Sequence, residues 1–322
     1  MKVLLVRADG IGDALACAPL VAALRDGGHT VSAVMGTGNR DIFAPRTFEA
    51  VHVLERIPWP RHGSTPDSIR RALAEVRAAR YDVALIASEE IEAFAFARDA
   101  RIPERAGFVN GFEKPLKTLQ VRSLLTRAIV RPASATRVRE HEVQTLFRLG
   151  TGLTNESAAT TDPQRLRSLI LEEPVAPSGS IVLQVSRKLA KDGLDIATYV
   201  ALARELAERG ERVVALGDDG DAVAEVARGG GAEARSDLLA AQWKAAIAGA
   251  RAIVTPDSGA AHVAGMLGVP CVDCFPSRAA TPHDIVRWRP WLPPYRTVVL
   301  ALPHDPAKTA ATLSAATADL LR

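Results

Sequence analysis

The amino-acid sequence predicts an α/β protein built from two successive, mainly parallel β-sheets. Short apolar segments alternate with helical segments, glycines follow several of the apolar segments, and the alternation stops near residues 172–180 before it restarts. Strands without a polar face are typical of parallel sheets that helices cover on both sides. The 322 residues suffice for two domains of roughly 150 residues each. We place an N-terminal domain at 1–172, a C-terminal domain at 173–305 and a terminal helix at 306–322, with packing back on the N-terminal domain as one option for that helix.

The first half begins with a strand, a glycine-containing loop and a helix. Val3 to Val6 is apolar and branched, and residues Asp13 to Arg25 carry apolar side chains at helical spacing. His29 to Met35 is the next strand and completes a right-handed βαβ unit. Beyond it, the sequence predicts a strand at 51–54, an arginine-rich helix at 67–80, a strand at 81–87 and helices up to about residue 149.

The second half repeats the alternation after a segment that is typical of a domain linker. Two prolines and a glycine accumulate at 171–180, where the hydrophobic periodicity stops. The elements predicted after it are strands at 181–185, 212–216, 252–254 and 270–275 and helices at 195–209, 243–248, 259–267 and 306–322.

The composition narrows the class of protein. With 48% hydrophobic and 24% charged residues, the chain is expected to fold into globular domains. A net charge of +3 is too small to make nucleic acid the default partner. No apolar run reaches the roughly 18 residues of a spanning helix, and three cysteines are too few for a disulfide framework. We therefore expect a cytoplasmic protein whose contact with a membrane, if it has one, is peripheral.

The loop after the first strand contains the first candidate site. Gly10 and Gly12 permit a tight turn and the close approach of a ligand. A third glycine at the dinucleotide-fingerprint spacing is missing, which argues against a nicotinamide cofactor. Asp13 has two interpretations: an N-cap of the helix that follows, or a carboxylate general base that faces a cleft.

A second candidate site follows the strand at 252–254. Ser258 supplies a hydroxyl and Gly259 an unhindered N–H at a helix start, a combination that suits an anion. His262 lies three residues after Gly259, on the same helix face. The structural alternatives are that Asp257 or Ser258 only caps the helix and that His262 only packs against a neighbouring element.

Two further loops follow the first two strands of the second half. The first contains the hydroxyl of Ser186 and three cations, among them Lys191. The second contains Gly217 with Asp218 and Asp221, carboxylates that can accept hydrogen bonds from ribose hydroxyls. A solvated charged loop and an ordinary Asp-Gly turn are the alternatives.

These motifs in combination resemble the bacterial heptosyltransferases, glycosyltransferase family nine. The residues that carry the resemblance are Gly12-Asp13, Lys191, Gly217 with its nearby acids, and Asp257-Ser258-Gly259-x-x-His262 followed by Gly268-Val269-Pro270. The resemblance implies a GT-B fold, in which two Rossmann-like α/β/α domains face each other across a cleft. The first domain would hold the acceptor and the second the nucleotide-sugar donor.

The resemblance also implies a reaction that needs no metal and no cofactor. Heptose would move with inversion from a nucleotide-heptose, expected to be ADP-heptose, to a hydroxyl of an acidic glycolipid or saccharide such as a lipopolysaccharide core. Asp13 would be the general base. The groups implied for the donor are Lys191, Ser258 and the Gly259 N–H on the leaving diphosphate, Asp257 and Ser186 beside it, His262 on the pyrophosphate, and Asp221 or Asp218 with Gly217 at the ribose. The lysine loop departs from the family's Lys-x-Trp-Pro, since it continues as Asp192-Gly193-Leu194.

Other interpretations stay open at this point. A nucleotide-sugar epimerase of similar architecture would react without an acceptor, and a non-catalytic nucleotide-sugar-binding protein would use Asp13 only as a cap. Glu89 and Glu90 stand where a neutral acceptor loop is usual, which indicates an atypical acceptor. Trp288 and Trp291 either cover the cleft edge or pack the terminal helix.

Two remaining features need an interpretation. Residues 101–139 contain nine basic and two acidic residues, which fits either a solvated helical face or a cationic surface for a phosphorylated glycolipid. Cys271 and Cys274 are predicted to be core residues, because a second cysteine pair for zinc is missing.

Overall fold

The computed structural model describes residues 1–55, 66–134 and 137–322. The chain divides into two units, Met1–Glu172 and Glu173–Arg322. Each unit contains a six-stranded sheet whose strand pairs are parallel, with helices between most of the successive strands. The predicted α/β fold with two Rossmann-like sheets is therefore confirmed.

The sheet of the first unit has the order β3-β2-β1-β4-β5-β6. Its strands are β1 Lys2–Val6, β2 Thr30–Gly36, β3 Val51–Leu54, β4 Val83–Ile86, β5 Glu104–Val109 and β6 Arg127–Val130. Its helices are α1 Ile11–Leu15, α2 Ala18–Asp26, α3 Pro66–Ala79, α4 Ile91–Asp99, α5 Pro115–Arg122, α6 Glu142–Phe147 and α7 Pro163–Ile170. The strand order reverses direction between β1 and β4, and ligands of such sheets bind at this switch point.

The sheet of the second unit has the order β12-β11-β10-β7-β8-β9. Its strands are β7 Ile181–Gln184, β8 Val213–Leu216, β9 Glu233–Arg235, β10 Ala252–Pro256, β11 Cys271–Pro276 and β12 Tyr295–Leu300. Its helices are α8 Ile196–Glu208, α9 Gly220–Gly230, α10 Ala240–Ala248, α11 Gly259–Leu267, α12 Thr281–Trp288 and α13 Pro306–Leu320. Here the switch point lies between β10 and β7, the strands that precede the Asp257 and Ser186 loops.

Central strands are buried on both faces, as their composition predicts. Val3 to Val6 of β1 are 0% exposed, with Leu4 and Val6 in a cluster that also contains Ile86 of β4. In the second unit, Val254, Val272 and residues of α8 and α13 form the corresponding cluster. Such packing fixes the ends of the central strands, from which the candidate loops start.

Two predictions for the elements of the first unit differ from the structure. The predicted helix from Asp13 to Arg25 is two helices, because α1 ends at Leu15 and α2 starts at Ala18 with Pro19 in its first turn. The prediction of helices only, up to residue 149, is wrong at β5 and β6. The terminal helix α13 packs on α8 and on β10, β11 and β12, within its own unit. None of the helices in the described ranges combines the length and apolar character needed to cross a membrane.

Candidate functional site

Asp13 is not the N-cap of its helix. Gly10 occupies the cap position, and Asp13 is the third residue of α1. The Asp13 side chain is one third exposed, and its Oδ1 accepts a hydrogen bond from Nη2 of Arg7. No residue in the described ranges forms a hydrogen bond with the other carboxylate oxygen, Oδ2. The structure therefore favours the interpretation that leaves Asp13 an accessible carboxylate over the N-cap interpretation.

Arg7 holds the Asp13 carboxylate in place. Its side chain is buried directly after β1, and its Nε lies 3.6 Å from Oδ2 of Asp9. Burial alone lowers the pKa of Arg7, but the negative charges of Asp13 and Asp9 outweigh it and raise the pKa. Burial also raises the pKa of Asp9, and the neighbouring Asp13 charge adds to that shift. The guanidinium therefore stays charged next to Asp13.

The glycine loop holds this pair in place. Nδ2 of Asn39 donates hydrogen bonds to the carbonyls of Arg7, at 3.2 Å, and Asp9, at 3.0 Å. A Cβ on Gly10 would lie 3.0 Å from Oδ2 of Asp13, so that a side chain here would press on the carboxylate. Gly12 is the second residue of α1, and its carbonyl accepts the Ala16 N–H. Gly10 thus keeps space beside the free oxygen.

In the second unit, helix α11 presents its N-terminus without a capping side chain from Ser258. Ser258 is the N-cap residue with extended backbone, yet its Oγ lies 3.1 Å from Oγ1 of Thr255 and makes no capping bond. Asp257 precedes it, and its N–H donates to the Cys274 carbonyl at 2.9 Å. The first N–H groups of α11, beginning with that of Gly259, therefore supply the partial positive charge that suits a phosphate.

The cation that reaches this loop is Lys188. Its Nζ donates to the Asp257 carbonyl and lies 3.7 Å from Oδ2 of Asp257. Ser186 supports the turn, since its Oγ accepts the Lys188 N–H at 3.1 Å. Lys191 is exposed on a 3₁₀ turn, and its side chain forms no hydrogen bond or ion pair with any part of the chain that the structure describes. Lys191 stays a prediction, and Lys188 is a second candidate that the list of predicted site residues does not contain.

His262 is a buried residue of α11. Its ring meets that of Trp288 of α12 edge to face, with 5.7 Å between the ring centroids. This contact gives Trp288 a packing role against α11. It also fixes the His262 ring one turn behind the open end of the helix.

The acidic loop after β8 is organised around Asp219 rather than its two predicted neighbours. Asp219 caps α9 through the Ala222 N–H and accepts a hydrogen bond from Nε of Arg187 at 2.6 Å. That hydrogen bond, followed by the capping bond, lowers the pKa of Asp219. Asp218 and Asp221 are both exposed to solvent. The Asp219 carboxylate is thus satisfied within the protein, and a ligand-binding role of Asp218 or Asp221 stays a prediction.

Gly217 owes its identity to a close approach between two strand ends. A Cβ at this position would lie 2.6 Å from the Val185 carbonyl oxygen. Any larger residue would push the β8 loop away from the β7 loop. Gly217 therefore has a packing role between the loops after β7 and β8, and its part in donor binding stays a prediction.

The Cys271–Cys274 pair is buried and unlinked, which confirms the prediction of core residues. Burial raises the pKa of both thiols. Asp273 lies between them, fully buried, and was not singled out by its sequence context. Within the described ranges, no group of three His, Cys, Asp or Glu residues is arranged to hold a metal ion.

Solved structures with the same fold cover nearly the whole chain. The E. coli heptosyltransferase WaaC with ADP has a TM-score of 0.75 at 17% identity, over 99% of this chain and 98% of that one. The E. coli ADP-heptose lps heptosyltransferase II has a TM-score of 0.70 at 17% identity, over 99% of both chains. A UDP-N-acetylglucosamine 2-epimerase from Listeria monocytogenes, described as putative, has a TM-score of 0.54 at 13% identity, over 99% of this chain and 88% of that one. These likenesses show the fold.

Membership of a family rests on sequence. A comparison with curated proteins gives no match. The model of glycosyltransferase family 9 (heptosyltransferase) matches residues 69–315, a range that includes the Asp257 loop but begins after Asp13. Because that match spans more than half of the chain, the protein belongs to glycosyltransferase family 9 and is a glycosyltransferase.

Proposed function

We propose that this glycosyltransferase moves heptose from ADP-heptose to a hydroxyl of an acidic, lipopolysaccharide-core-like acceptor, with Asp13 as general base. The observation that carries the proposal is the carboxylate of Asp13, which is held on one oxygen by Arg7 and has the other oxygen without a partner among the described residues. A heptosyltransferase of the same fold was solved with ADP and also with ADP-2-deoxy-2-fluoro heptose. These relatives support the choice of donor.

The proposed step is a single inverting displacement. The acceptor hydroxyl gives its proton to Oδ2 of Asp13 while its oxygen forms a bond to the anomeric carbon. The bond from that carbon to the diphosphate breaks, and ADP leaves with the electron pair. The first N–H groups of α11 and a lysine of the Ser186 loop would stabilise the charge on the leaving phosphate. This mechanism assigns no step to a metal ion.

Asp13→Asn tests the base. It keeps the size of the side chain and a hydrogen-bond acceptor but cannot take the proton. We expect turnover to fall about 10²-fold or more, while ADP affinity stays unchanged. Asp41→Asn is the matched control, because that carboxylate pairs with Arg40 outside the α1 loop. Unchanged turnover in Asp13→Asn would refute the proposed base.

The donor side is tested by calorimetry with ADP. Removing a charge-assisted hydrogen bond should weaken ADP binding by roughly ten- to a hundredfold. We compare Lys188→Ala and Lys191→Ala, with Lys308→Ala on α13 as control. Equal ADP affinity in all three variants would show that neither lysine binds the diphosphate.

The reaction type is tested by incubating the protein with ADP-heptose and a core-like acceptor. We expect ADP and the heptosylated acceptor to appear together, in the presence of a chelator as well as without it. An altered nucleotide-sugar formed without an acceptor would identify an epimerase instead. Binding of the donor without any turnover would identify a non-catalytic binding protein.

A further inference from the structure

The first unit exposes four large apolar side chains next to one another. Phe112 is fully exposed, and Leu116 and Leu119 of α5 are 84% and 71% exposed. Val130, at the end of β6, is 64% exposed. We propose that these four residues, named here the α5 patch, insert into the surface of an anionic lipid membrane.

Local structure joins the four side chains into one surface. Gly111, with φ of +59°, starts the turn that directs Phe112 outward, and a Cβ on Gly111 would lie 3.5 Å from Val130. Oγ1 of Thr118 donates to the Gly111 carbonyl at 3.0 Å, which ties α5 to the turn. Leu116 and Leu119, three residues apart, share one face of α5.

The opposite side of the same segment is anchored in the core. Val121 of α5 and Leu124 after it are buried in the cluster under β4 and β5. The α5 segment is therefore packed on the core, and its exposed leucines are not the result of missing core contacts. Its sequence places apolar side chains on both faces, and the face that does not join the core is an exposed apolar patch of the kind that marks an interaction site.

The charge around the patch is positive. Lys114 and Arg122 are exposed at the two ends of α5, and residues 105–139 contain one acidic residue, Glu113. The Glu113 carboxylate accepts the N–H groups of Ala133 and Ser134 and pairs with Arg137 at 3.1 Å. Since that acid is satisfied by residues that follow β6, the exposed Lys114 and Arg122 beside the patch are available to a partner.

Cations beside exposed apolar side chains fit anionic lipid headgroups. The headgroups would neutralise Lys114 and Arg122 while the apolar side chains enter the acyl region. A symmetric contact between two copies would instead bring the same cations together across the interface. Charge complementarity thus selects the membrane as the occupant. The inference deepens the proposed function, and rests on it, in that the acceptor is taken to be a lipid-anchored saccharide.

The test is co-sedimentation of the full chain with vesicles, without donor or acceptor. We expect binding to vesicles of phosphatidylglycerol and phosphatidylethanolamine, and much weaker binding to phosphatidylcholine vesicles. The double variant L116S/L119S should lower the partition coefficient at least tenfold, and Lys114→Ala roughly fivefold. Leu239→Ser is the matched control, because Leu239 is a 72% exposed leucine of the second unit, and it should bind as the unaltered protein does.

Three results would overturn the inference. One is the absence of binding to anionic vesicles, and another is an equal loss in L116S/L119S and Leu239→Ser. The third is a dimer in light scattering that L116S/L119S converts to monomer, which would assign the patch to self-association. Transfer to a short acceptor without a lipid should be unaffected by L116S/L119S. A protein that binds vesicles through the patch but transfers no heptose would refute the proposed function and leave the patch assignment standing.

Discussion

Asp273 makes the stability of the second unit depend on pH, and Asp273→Asn should remove that dependence. The Asp273 side chain is fully buried in β11, between Thr255 of β10 and Thr297 of β12 in the sheet register. Neither carboxylate oxygen has a hydrogen-bond partner in the part of the chain that the structure describes. Burial, with the charge of Asp257 adding to it, raises the pKa of Asp273 well above its ordinary value.

The direction in which stability changes with pH follows from the raised pKa of Asp273. Below the ordinary carboxyl pKa, Asp273 is protonated in both the folded and the unfolded chain, and its contribution to stability is complete. Above it, the unfolded chain loses the proton while the folded chain keeps it. Each pH unit then costs the folded state about 1.4 kcal/mol, until the pH reaches the folded pKa.

The amide that Asp273→Asn introduces carries no titrating proton, so the stability of the variant should lack this slope. The assay is urea unfolding between pH 4 and pH 8, followed by tryptophan fluorescence, since three of the four tryptophans, Trp243, Trp288 and Trp291, belong to the second unit. The advantage of Asp273→Asn over the unaltered protein should grow as the pH rises above the ordinary carboxyl pKa, by at most about 1.4 kcal/mol per pH unit. Asp319→Asn, at an exposed position of α13, is the control. A constant difference between Asp273→Asn and the unaltered protein would refute the reasoning.

Two further substitutions test packing in each unit. Gly217→Ala should destabilise the protein by about 1–3 kcal/mol, because the new Cβ would lie 2.6 Å from the Val185 carbonyl oxygen; the urea midpoint should move far less in Gly38→Ala, where nothing lies within 4 Å. Arg131→Met should cost about 3–5 kcal/mol, because it removes the guanidinium 3.0 Å from the buried Glu142 carboxylate. Recovery of the urea midpoint in the double variant with Glu142→Met would show that the lost ion pair is the cause, and no recovery would contradict it.

The sequence was most informative where one physical signal dominates. β1 and α11 have the predicted positions, because a branched apolar run that is buried on both faces and a helix bounded by glycines leave few alternatives. β5 and β6 were predicted as helical, since their arginines and alanines resemble an exposed helix. In the sheet, Arg105 of β5 donates to the Leu124 and Ile102 carbonyls. Hydrogen bonds from a side chain to backbone carbonyls produce no periodic pattern in the sequence.

The candidate site was predicted as a set of loops more reliably than as a set of side chains. Every predicted loop follows a strand at or beside a switch point, which the alternation of elements implies. The partners within the loops depend on side-chain direction. Arg7 follows an apolar strand and is indistinguishable in sequence from a surface cation, yet it is buried against Asp13. The spacing of Lys188 and Lys191 does not tell which of them turns toward Asp257.

The basic segment 101–139 shows why a count of charges does not define a surface. Several of its arginines bind other groups of the protein. Arg105 binds backbone carbonyls, Arg127 binds the carbonyls of Thr151 and Leu149, Arg131 is buried against Glu142, and Arg137 pairs with Glu113. Neither a solvated helical face nor a uniform cationic surface describes such a segment. What remains exposed beside α5 is a small number of cations around apolar side chains. A partner that offered only negative charge would contact the cations and leave the apolar side chains in water. A membrane of anionic lipids offers both negative headgroups and an apolar phase.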